Sequence, residues 1–300
     1  MNKCGILCLL ICLGFLSCQK ENDVPGNDDS SSVTGLSLKY SEAESNAFLN
    51  PADYQEIFDF LSRPGLPEKH PGFFTKKTYV QGIKVTKSAN NESPVYVAVI
   101  GEAASYNNAL GYYYYEGEGG LNEKQKGEVL SSIYKTGTGG ITLSNPIVAS
   151  EMEGGKYQIY RLYGDLPNGN FSSGLVIRFY LLPNGYGSPK TIKLNKFGLP
   201  YIITTDTEFN EKGVVIANGK RAGYASHIAG KTSKGDLVFS FEDLNSGYSS
   251  VSDNDFNDLV FIVTDSYTID KDGIATLLPL GKSSRLSVAD TKWDDLLELR

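Results

Sequence analysis

The chain has 300 residues, a formal net charge of −7 and four cysteines. The acidic balance argues against a nucleic-acid partner, which would favour a strongly basic surface. Tyrosine, glycine and phenylalanine are abundant (19, 32 and 14 residues), whereas methionine and tryptophan are scarce (2 and 1 residues). This composition favours strands and turns over helices.

The first residues have the pattern of an export signal. Lys3 gives a positive start, and an uncharged apolar run from Gly5 to Leu16 follows, which is too short to span a bilayer. The sequence Phe-Leu-Ser-Cys at 15–18 resembles a bacterial lipobox, although Phe15 stands where leucine is usual. This resemblance implies cleavage before Cys18 and attachment of lipid to that residue. The alternatives are an ordinary signal peptide cut elsewhere, or a buried N-terminal strand or helix.

The cysteines all lie in this leader, at positions 4, 8, 12 and 18. The mature chain is therefore expected to contain no disulfide and no thiolate metal site. With only His70 and His227, a typical zinc site is not expected either. Residues 18–35 are rich in Gly, Asp and Ser and predict a flexible tether. Acidic residues directly after Cys18 resemble the surface-export signals of some Gram-negative envelopes, so we predict a lipid-anchored, surface-exposed protein of a bacterial outer membrane.

The first predicted helix covers Asn50 to Ser62, with Asn50 as the N-cap and Pro51 in the first turn. Short apolar stretches between turn residues then predict strands. The predicted strands are Tyr79–Thr86, Val95–Ile100, Gly111–Tyr115, Lys156–Leu162, Leu175–Leu182, Thr191–Leu194, Gly213–Ala217, Asp236–Glu242 and Leu259–Thr264.

Two further helices are predicted, one over Glu123 to Tyr134 and a short amphipathic one over Asp290 to Leu299. The whole pattern predicts a mainly β chain, a β-sandwich of jelly-roll type preceded by a small helix-bearing N-terminal segment. The predicted divisions are a signal peptide (1–17), the tether (18–35), the N-terminal segment (36–90), the β-sandwich (91–268) and a C-terminal tail (269–300).

Four consecutive tyrosines, Tyr112 to Tyr115, place two tyrosines on each face of one predicted strand. One pair is expected in the core. The other pair is expected either to pack under a loop or to form an aromatic platform for a sugar ring, and packing is the preferred interpretation.

The densest group of acidic residues lies between two apolar strands. Glu242 and Asp243 end the first strand, a Gly/Ser-rich spacer follows, and Asp-Asn-Asp-Phe-Asn-Asp at 253–258 leads into the second. We call residues 242–243 and 253–258 the acidic turn. It contains no Lys or Arg, and unit charges about 5 Å apart repel by roughly 3 kcal/mol at an effective dielectric constant near 20. A fold that converges these acids needs a cation, a shared proton or extensive solvation.

Carboxylate and amide oxygens in this pattern suit calcium, which takes six to eight oxygen ligands. Alternate positions in 253–257 carry oxygen-bearing side chains, so a looped backbone can aim them at one point. The loop is not an EF-hand, because Asp258 stands where glycine is needed at the sixth position and Thr264 where glutamate is needed at the twelfth. The alternative is a solvated turn whose Asp and Asn side chains cap their own backbone. The predicted Ca²⁺ ligands are Glu242, Asp243, Asp253, Asp255, Asn257 and Asp258.

The same acids also suit a carboxylate-dependent, glycosidase-like hydrolase, in which an acid and a nucleophile differ in pKa. Glu242 is then the acid, with Asp255 or Asp258 as its partner. His227 is a further catalytic candidate, with a hydrogen bond to backbone as the preferred alternative. Residues 225–232 match a relaxed phosphate-loop pattern, but a strand follows where a helix is required, so no nucleotide partner is expected.

Several motifs occur in order along residues 95–265. They are Asn-Asn-Ala-Leu-Gly-Tyr-Tyr at 107–113, Gly-Leu-Val-Ile at 174–177 with Leu-Pro-Asn-Gly at 182–185, His227, and Phe-Glu-Asp-Leu at 241–244 with Asp-x-Asp-Phe-Asn-Asp-Leu at 253–259. Together they resemble the bacterial domain-of-unknown-function family 4114, found near the C-termini of many secreted and surface proteins. The last motif is the specific one. The spacer 245–252 is longer than the short glycine spacer of the family.

The resemblance implies a β-rich extracytoplasmic domain whose acidic residues have been suspected of enzymatic activity without an assigned reaction. Combined with the leader, it predicts a lipid-anchored envelope module with a calcium-type acidic turn that acts in binding or adhesion. The expected ligand is a polysaccharide or another envelope protein, and the hydrolase is the alternative.

Overall fold

The computed structural model describes residues 32–34, 43–62, 80–86, 92–101, 108–117, 121–137, 140–143, 145–149, 157–183, 191–193, 202–206, 209, 215–217, 220–222, 227–242, 256–280, 284–289 and 291–299. The strands are β1 (Ser32–Thr34), β2 (Ala43–Leu49), β3 (Ile83–Val85), β4 (Glu92–Ser93), β5 (Val95–Gly101), β6 (Ala109–Glu116), β7 (Tyr134–Gly137), β8 (Gly140–Leu143), β9 (Pro146–Ala149), β10 (Tyr157–Leu162), β11 (Phe171–Ser172), β12 (Leu175–Leu182), β13 (Thr191–Lys193), β14 (Ile203–Thr204), β15 (Val215–Ala217), β16 (Lys220–Ala222), β17 (His227–Lys231), β18 (Leu237–Phe241), β19 (Leu259–Thr264), β20 (Tyr267–Ile269), β21 (Ala275–Leu277), β22 (Leu286–Val288) and β23 (Leu297–Glu298).

Side-chain caps begin the 3₁₀ turn that leads into the first helix and the second helix itself. The Asn50 side chain accepts a hydrogen bond from the Ala52 N–H at 3.2 Å, and a 3₁₀ turn over Pro51–Tyr54 leads into α1 (Gln55–Leu61). Before α2 (Glu123–Ile133), the Asn122 side chain accepts from the Gln125 N–H, and the Gln125 side chain accepts from the Asn122 N–H, each at 3.0 Å. These two predicted helices are confirmed.

Two sheets organise the described strands. The large sheet has the order β2-β10-β5-β19-β18-β17-β23, and the small sheet has the order β22-β3-β12-β6-β9, with β14 also paired to β12. Neighbouring strands of these sheets are antiparallel, except that β23 runs parallel to β17. Short two-stranded ladders accompany them, including β20 with β21. The prediction of a mainly β sandwich is confirmed.

The two sheets pack face to face through a large apolar core, which we call the inner cluster. Phe179 of the small sheet lies 4.8 Å from Phe261 and 5.4 Å from Phe239 of the large sheet, measured between ring centroids. All three side chains are fully buried. Because alternate residues of a strand point to opposite faces, every second residue of these strands enters this cluster.

The outer face of each sheet is also covered. Ile57 and Leu61 of α1 pack with Val238 and Val260 of the large sheet, forming the α1 cluster. Val129 and Ile133 of α2 pack with the small sheet in a second outer cluster, to which Tyr113 contributes. The layers therefore follow the order α1, large sheet, small sheet, α2. Burial on both faces explains why β19 is a nearly continuous apolar run and why β12 is one that only Arg178 interrupts.

The predicted helix over Asp290 to Leu299 is wrong. A 3₁₀ turn covers Trp293–Asp295, and the chain then extends as β23 along the edge of β17. A Cβ added to Gly230 of β17 would lie 2.8 Å from the Leu297 carbonyl, so the absence of a side chain lets β23 approach closely. The edge of β17 also binds this segment, since the Leu299 N–H donates to the Lys231 carbonyl at 2.9 Å. This pairing outweighs the helical spacing of the apolar residues in 290–299.

The two sheets also include described strands that lie outside residues 91–268. β3 lies between β22 and β12 in the small sheet, and β2 and β23 are the outer strands of the large sheet. Within the described residues, no helix has both the length and the apolar character needed to cross a membrane.

Candidate functional site

The acidic turn lies where β18 ends and β19 begins. Glu242, Asn257 and Asp258 belong to the part of the chain that the structure describes. The other three predicted ligands, Asp243, Asp253 and Asp255, lie outside the described residues, as does Cys18. The catalytic candidate Asp255 therefore has no described position, whereas Glu242, Asp258 and His227 do.

Strand register brings Glu242 and Asp258 to the same end of one ladder. Phe241 of β18 pairs with Leu259 of β19, and this is the last pair of the ladder at that end. Glu242 directly follows Phe241, and Asp258 directly precedes Leu259. In an antiparallel pair these positions are neighbours across the ladder. The two acids that the sequence separates by a long spacer therefore flank the same pair.

Both acids are buried. The exposed fraction is 1% for Glu242 and 8% for Asp258. Phe241 and Leu259 point into the inner cluster, so strand alternation assigns Glu242 and Asp258 to the opposite face, which carries the α1 cluster. Buried carboxylates cost free energy unless their charge is compensated. The acidic turn is thus placed at the rim of an apolar layer.

The backbone before β19 makes a sharp bend at Phe256. Its φ is 58°, in the left-handed region, which costs a side-chain-bearing residue about 1–2 kcal/mol. The Phe256 side chain is fully buried in the α1 cluster, and the Ser240 hydroxyl donates a hydrogen bond to its carbonyl oxygen. The buried Asn108 side chain also approaches the Asp258 carbonyl at 3.5 Å. Packing and hydrogen bonds together fix this bend and the direction of the residues after it.

The described part of the acidic turn is not by itself a complete cation site. Among the residues that the structure describes, no group of three or more His, Cys, Asp or Glu side chains is arranged to hold a metal ion. A full calcium shell at this position therefore needs the other predicted ligands, Asp243, Asp253 and Asp255.

Comparison with known families identifies the stretch that carries this turn. The family model of DUF4114, a domain of unknown function, matches residues 171–266. The similarity to this family covers about a third of the chain. The match covers both halves of the acidic turn, whereas the motif at 107–113 precedes it. No curated protein and no solved structure shows significant similarity to the chain.

His227, within the DUF4114 stretch, lies on the other face of the large sheet from the two acids. It pairs with Phe241 across the β17–β18 ladder, and its ring lies 5.8 Å from the Phe241 ring. The side chain is fully buried, and Nε2 lies 3.1 Å from the Val80 carbonyl. Desolvation lowers the pKa of His227 to about 4, so the ring is neutral at pH 7 and its Nε2–H donates to Val80. This placement gives His227 a structural hydrogen bond and no access to a substrate in solution.

Sequence reasoning missed a buried ion pair on the outer face of the small sheet. Arg178 of β12 and Asp206 are both fully buried, with Nε and Oδ2 3.3 Å apart. The guanidinium lies 3.6 Å from the Tyr115 ring centroid and donates to the Gly117 carbonyl at 2.6 Å, and the Tyr115 hydroxyl donates to Asp206. A single arginine inside the apolar run of β12 is the signal that predicts such a partner. Within the DUF4114 stretch this network ties β12 to the residues after β14.

The four tyrosines divide between the two faces of the small sheet. Tyr112 is buried in the inner cluster, and Tyr114 packs against that cluster. Tyr113 is buried beside α2, and Tyr115 packs against the same outer cluster. Both pairs therefore pack against protein, which agrees with the preferred interpretation.

Proposed function

We propose that this protein is a lipid-anchored β-sandwich module, exposed on the outer membrane of a bacterium, that binds a polysaccharide or another envelope protein. We further propose that a Ca²⁺ ion at the acidic turn stabilises it. The leader and the lipobox-like Cys18 support the anchor. The match to DUF4114 supports a β-rich domain of unknown function.

The observation that carries the ion is the burial of Glu242 and Asp258 beside the Phe241–Leu259 pair. Two carboxylates withdrawn from water on one edge repel each other and lose hydration. The sequence supplies no Lys or Arg between positions 235 and 270. A divalent cation bound by carboxylate and carbonyl oxygens compensates such charge, and calcium accepts the irregular ligand set that a loop provides.

Burial supports the ion in preference to the hydrolase. A general acid has to reach the glycosidic oxygen, and its carboxylate partner has to face the sugar from the other side. Glu242 and Asp258 instead lie at the rim of the α1 cluster with exposed fractions of 1% and 8%. A stabilising role fits this environment better than catalysis does.

Thermal unfolding of the full chain tests the ion. Ca²⁺ at about 100 times its Kd is expected to raise Tm by roughly 5–10 °C relative to EDTA, because binding to the folded state alone contributes about 2.7 kcal/mol. Asp255→Asn is expected to abolish the rise. The matched control Asp294→Asn changes an exposed acid in the turn before β23 and is expected to keep it. An unchanged Tm of the parent protein in Ca²⁺ would refute the proposed site.

The anchor has a separate test. Cells that express the chain are grown with labelled palmitate, and the label is expected in the parent protein and absent from Cys18→Ala. Cys12→Ala, within the leader, is the matched control and is expected to keep the label. Equal labelling of the Cys18→Ala variant would show that Cys18 is not the lipidation site.

A further inference from the structure

A groove of about 720 Å³ lies at the opposite end of β19 from the acidic turn. Asp258 precedes the strand and Asp265 follows it, and a six-residue strand rises by about 20 Å. This volume lies within the usual range for small-molecule sites. The residues that line the groove are Pro94, Tyr96, Asp265, Ser266, Tyr267, Ile269 and Arg285.

Two tyrosines give the groove an aromatic wall. The rings of Tyr96 and Tyr267 lie 5.0 Å apart between centroids, at an interplanar angle of 85°. Tyr96 belongs to β5 and Tyr267 begins β20, and both side chains are half-buried against the α1 cluster. Edge-to-face packing of this kind holds each ring in place. A fixed aromatic surface suits the C–H face of a sugar ring, which is apolar and flat.

The polar side of the groove is also held in place. Asp265 accepts hydrogen bonds from the Ser284 hydroxyl at 2.8 Å and from the Arg285 N–H at 2.7 Å. The Arg285 carbonyl in turn accepts from the Thr86 N–H at 2.7 Å. The Arg285 side chain is exposed at the rim of the groove. Asp265 and Arg285 therefore both line the groove that carries the aromatic wall, the first with a carboxylate acceptor and the second with an exposed guanidinium donor.

This pair of groups favours a neutral ligand that is rich in hydroxyls. A hydroxyl both donates and accepts, so neighbouring hydroxyls can donate to Asp265 and accept from Arg285. An anionic ligand would meet the Asp265 carboxylate, and a purely apolar one would leave both charged groups without water. Among the lining residues only Ile269 and Pro94 are aliphatic.

We propose that this groove binds a pyranose unit of a neutral polysaccharide, with the sugar face on the tyrosine wall and its hydroxyls at Asp265 and Arg285. The proposal rests on the proposed function, since it locates the polysaccharide site of the envelope module. It also separates two sites on one strand: the ion at the beginning of β19 and the sugar at its end.

Calorimetric titration of the full chain with cellohexaose, mannohexaose, laminarihexaose and maltohexaose tests the groove. Saturable binding of at least one of these sugars is expected, weakened about tenfold or more in Tyr267→Ala and in Arg285→Ala. Tyr267→Phe keeps the ring and is expected to bind. Tyr163→Ala removes a tyrosine that is 50% exposed outside the groove and is the matched control. Arg285→Ala is an exposed change, so a loss of binding at unchanged Tm reports on the groove and not on folding.

Polygalacturonate, an anionic polysaccharide, is titrated alongside them. Binding of none of the four neutral sugars at millimolar concentration would overturn the proposal, as would binding only to polygalacturonate or binding that survives both groove variants. The ion is scored separately with Asp255→Asn, which is expected to lose the response of Tm to Ca²⁺ and to keep sugar binding. If the parent protein binds no sugar but responds to Ca²⁺, the groove alone is refuted, whereas if it binds sugar but does not respond to Ca²⁺, the ion alone is refuted.

Discussion

The Ser240 hydroxyl donates a hydrogen bond to the carbonyl oxygen of Phe256. The backbone of Phe256 lies in the left-handed region, and its side chain is buried in the α1 cluster. The hydrogen bond joins β18 to the bend that leads into β19. It lies two residues before Glu242 along one strand and two residues before Asp258 along the other. The backbone of the acidic turn is therefore held by the Ser240–Phe256 hydrogen bond, in which no carboxylate takes part.

Ser240→Ala is expected to destabilise the protein by about 1–3 kcal/mol, because the buried carbonyl of Phe256 loses a donor. Urea unfolding measures this change. Ser131→Ala alters an exposed serine of α2 and is the control, with an expected change within about 0.5 kcal/mol. Equal effects of the two substitutions would contradict the role assigned to Ser240.

The buried His227 predicts a loss of stability in mild acid. Its pKa is about 4 in the folded protein, below the ordinary value of 6.5. Between these values the unfolded chain binds the proton first, so stability decreases as the pH decreases from 6.5 towards 4 and this contribution is fully lost below the folded pKa. The shift corresponds to about 3 kcal/mol at neutral pH.

His227→Gln keeps a donor for the Val80 carbonyl and does not titrate. Urea unfolding from pH 7 to pH 4 is therefore expected to give a shallower dependence for the variant than for the parent protein. Other acids titrate in both proteins, so the difference between the two curves is the measured quantity. Parallel curves would show that His227 does not titrate on unfolding in this range.

The buried Arg178–Asp206 pair predicts a large effect from removing one partner. Arg178→Met is expected to destabilise the protein by about 3–5 kcal/mol, because the Asp206 carboxylate stays buried without its cation. The exposed pair Lys124–Glu128 gives the control, since Lys124→Met is expected to cost no more than about 0.5 kcal/mol. Adding Asp206→Leu to Arg178→Met is expected to cost less than the sum of the single changes.

Two glycines predict opposite results for the same substitution. A Cβ at Gly101 would lie 2.2 Å from the Phe58 ring, so Gly101→Ala is expected to displace α1 and to cost about 1–3 kcal/mol. A Cβ at Gly127 in α2 would meet nothing within 4 Å, and Gly127→Ala is expected to stabilise by about 0.5–1 kcal/mol. Thermal unfolding distinguishes the two, and a stabilising Gly101→Ala would contradict the packing of α1 on β5.

Local sequence signals predicted both helices of the first half and most of the longer strands, because these signals act over a few residues. β12 and β19 have the predicted bounds, since each is an apolar run with turn residues on both sides. The N-cap of the first helix was equally local. β17 was not predicted, because His227 and Gly230 interrupt its apolar pattern and only its two neighbouring strands give it an extended form. The prediction of a helix over Asp290 to Leu299 was wrong for the same reason, because β23 is held by β17, which is distant in the chain.

The sequence by itself determined a mainly β chain and an acidic turn between two apolar strands, since composition and short spacing carry these features, and the export-type leader stays a prediction from the sequence. The tertiary structure decided that Glu242 and Asp258 flank one strand pair, that His227 faces the opposite cluster, and that Tyr96, Tyr267 and Arg285 share a groove. Strand register and layer order bring together residues far apart in the chain. These follow from the packing of the whole core, which no local spacing records.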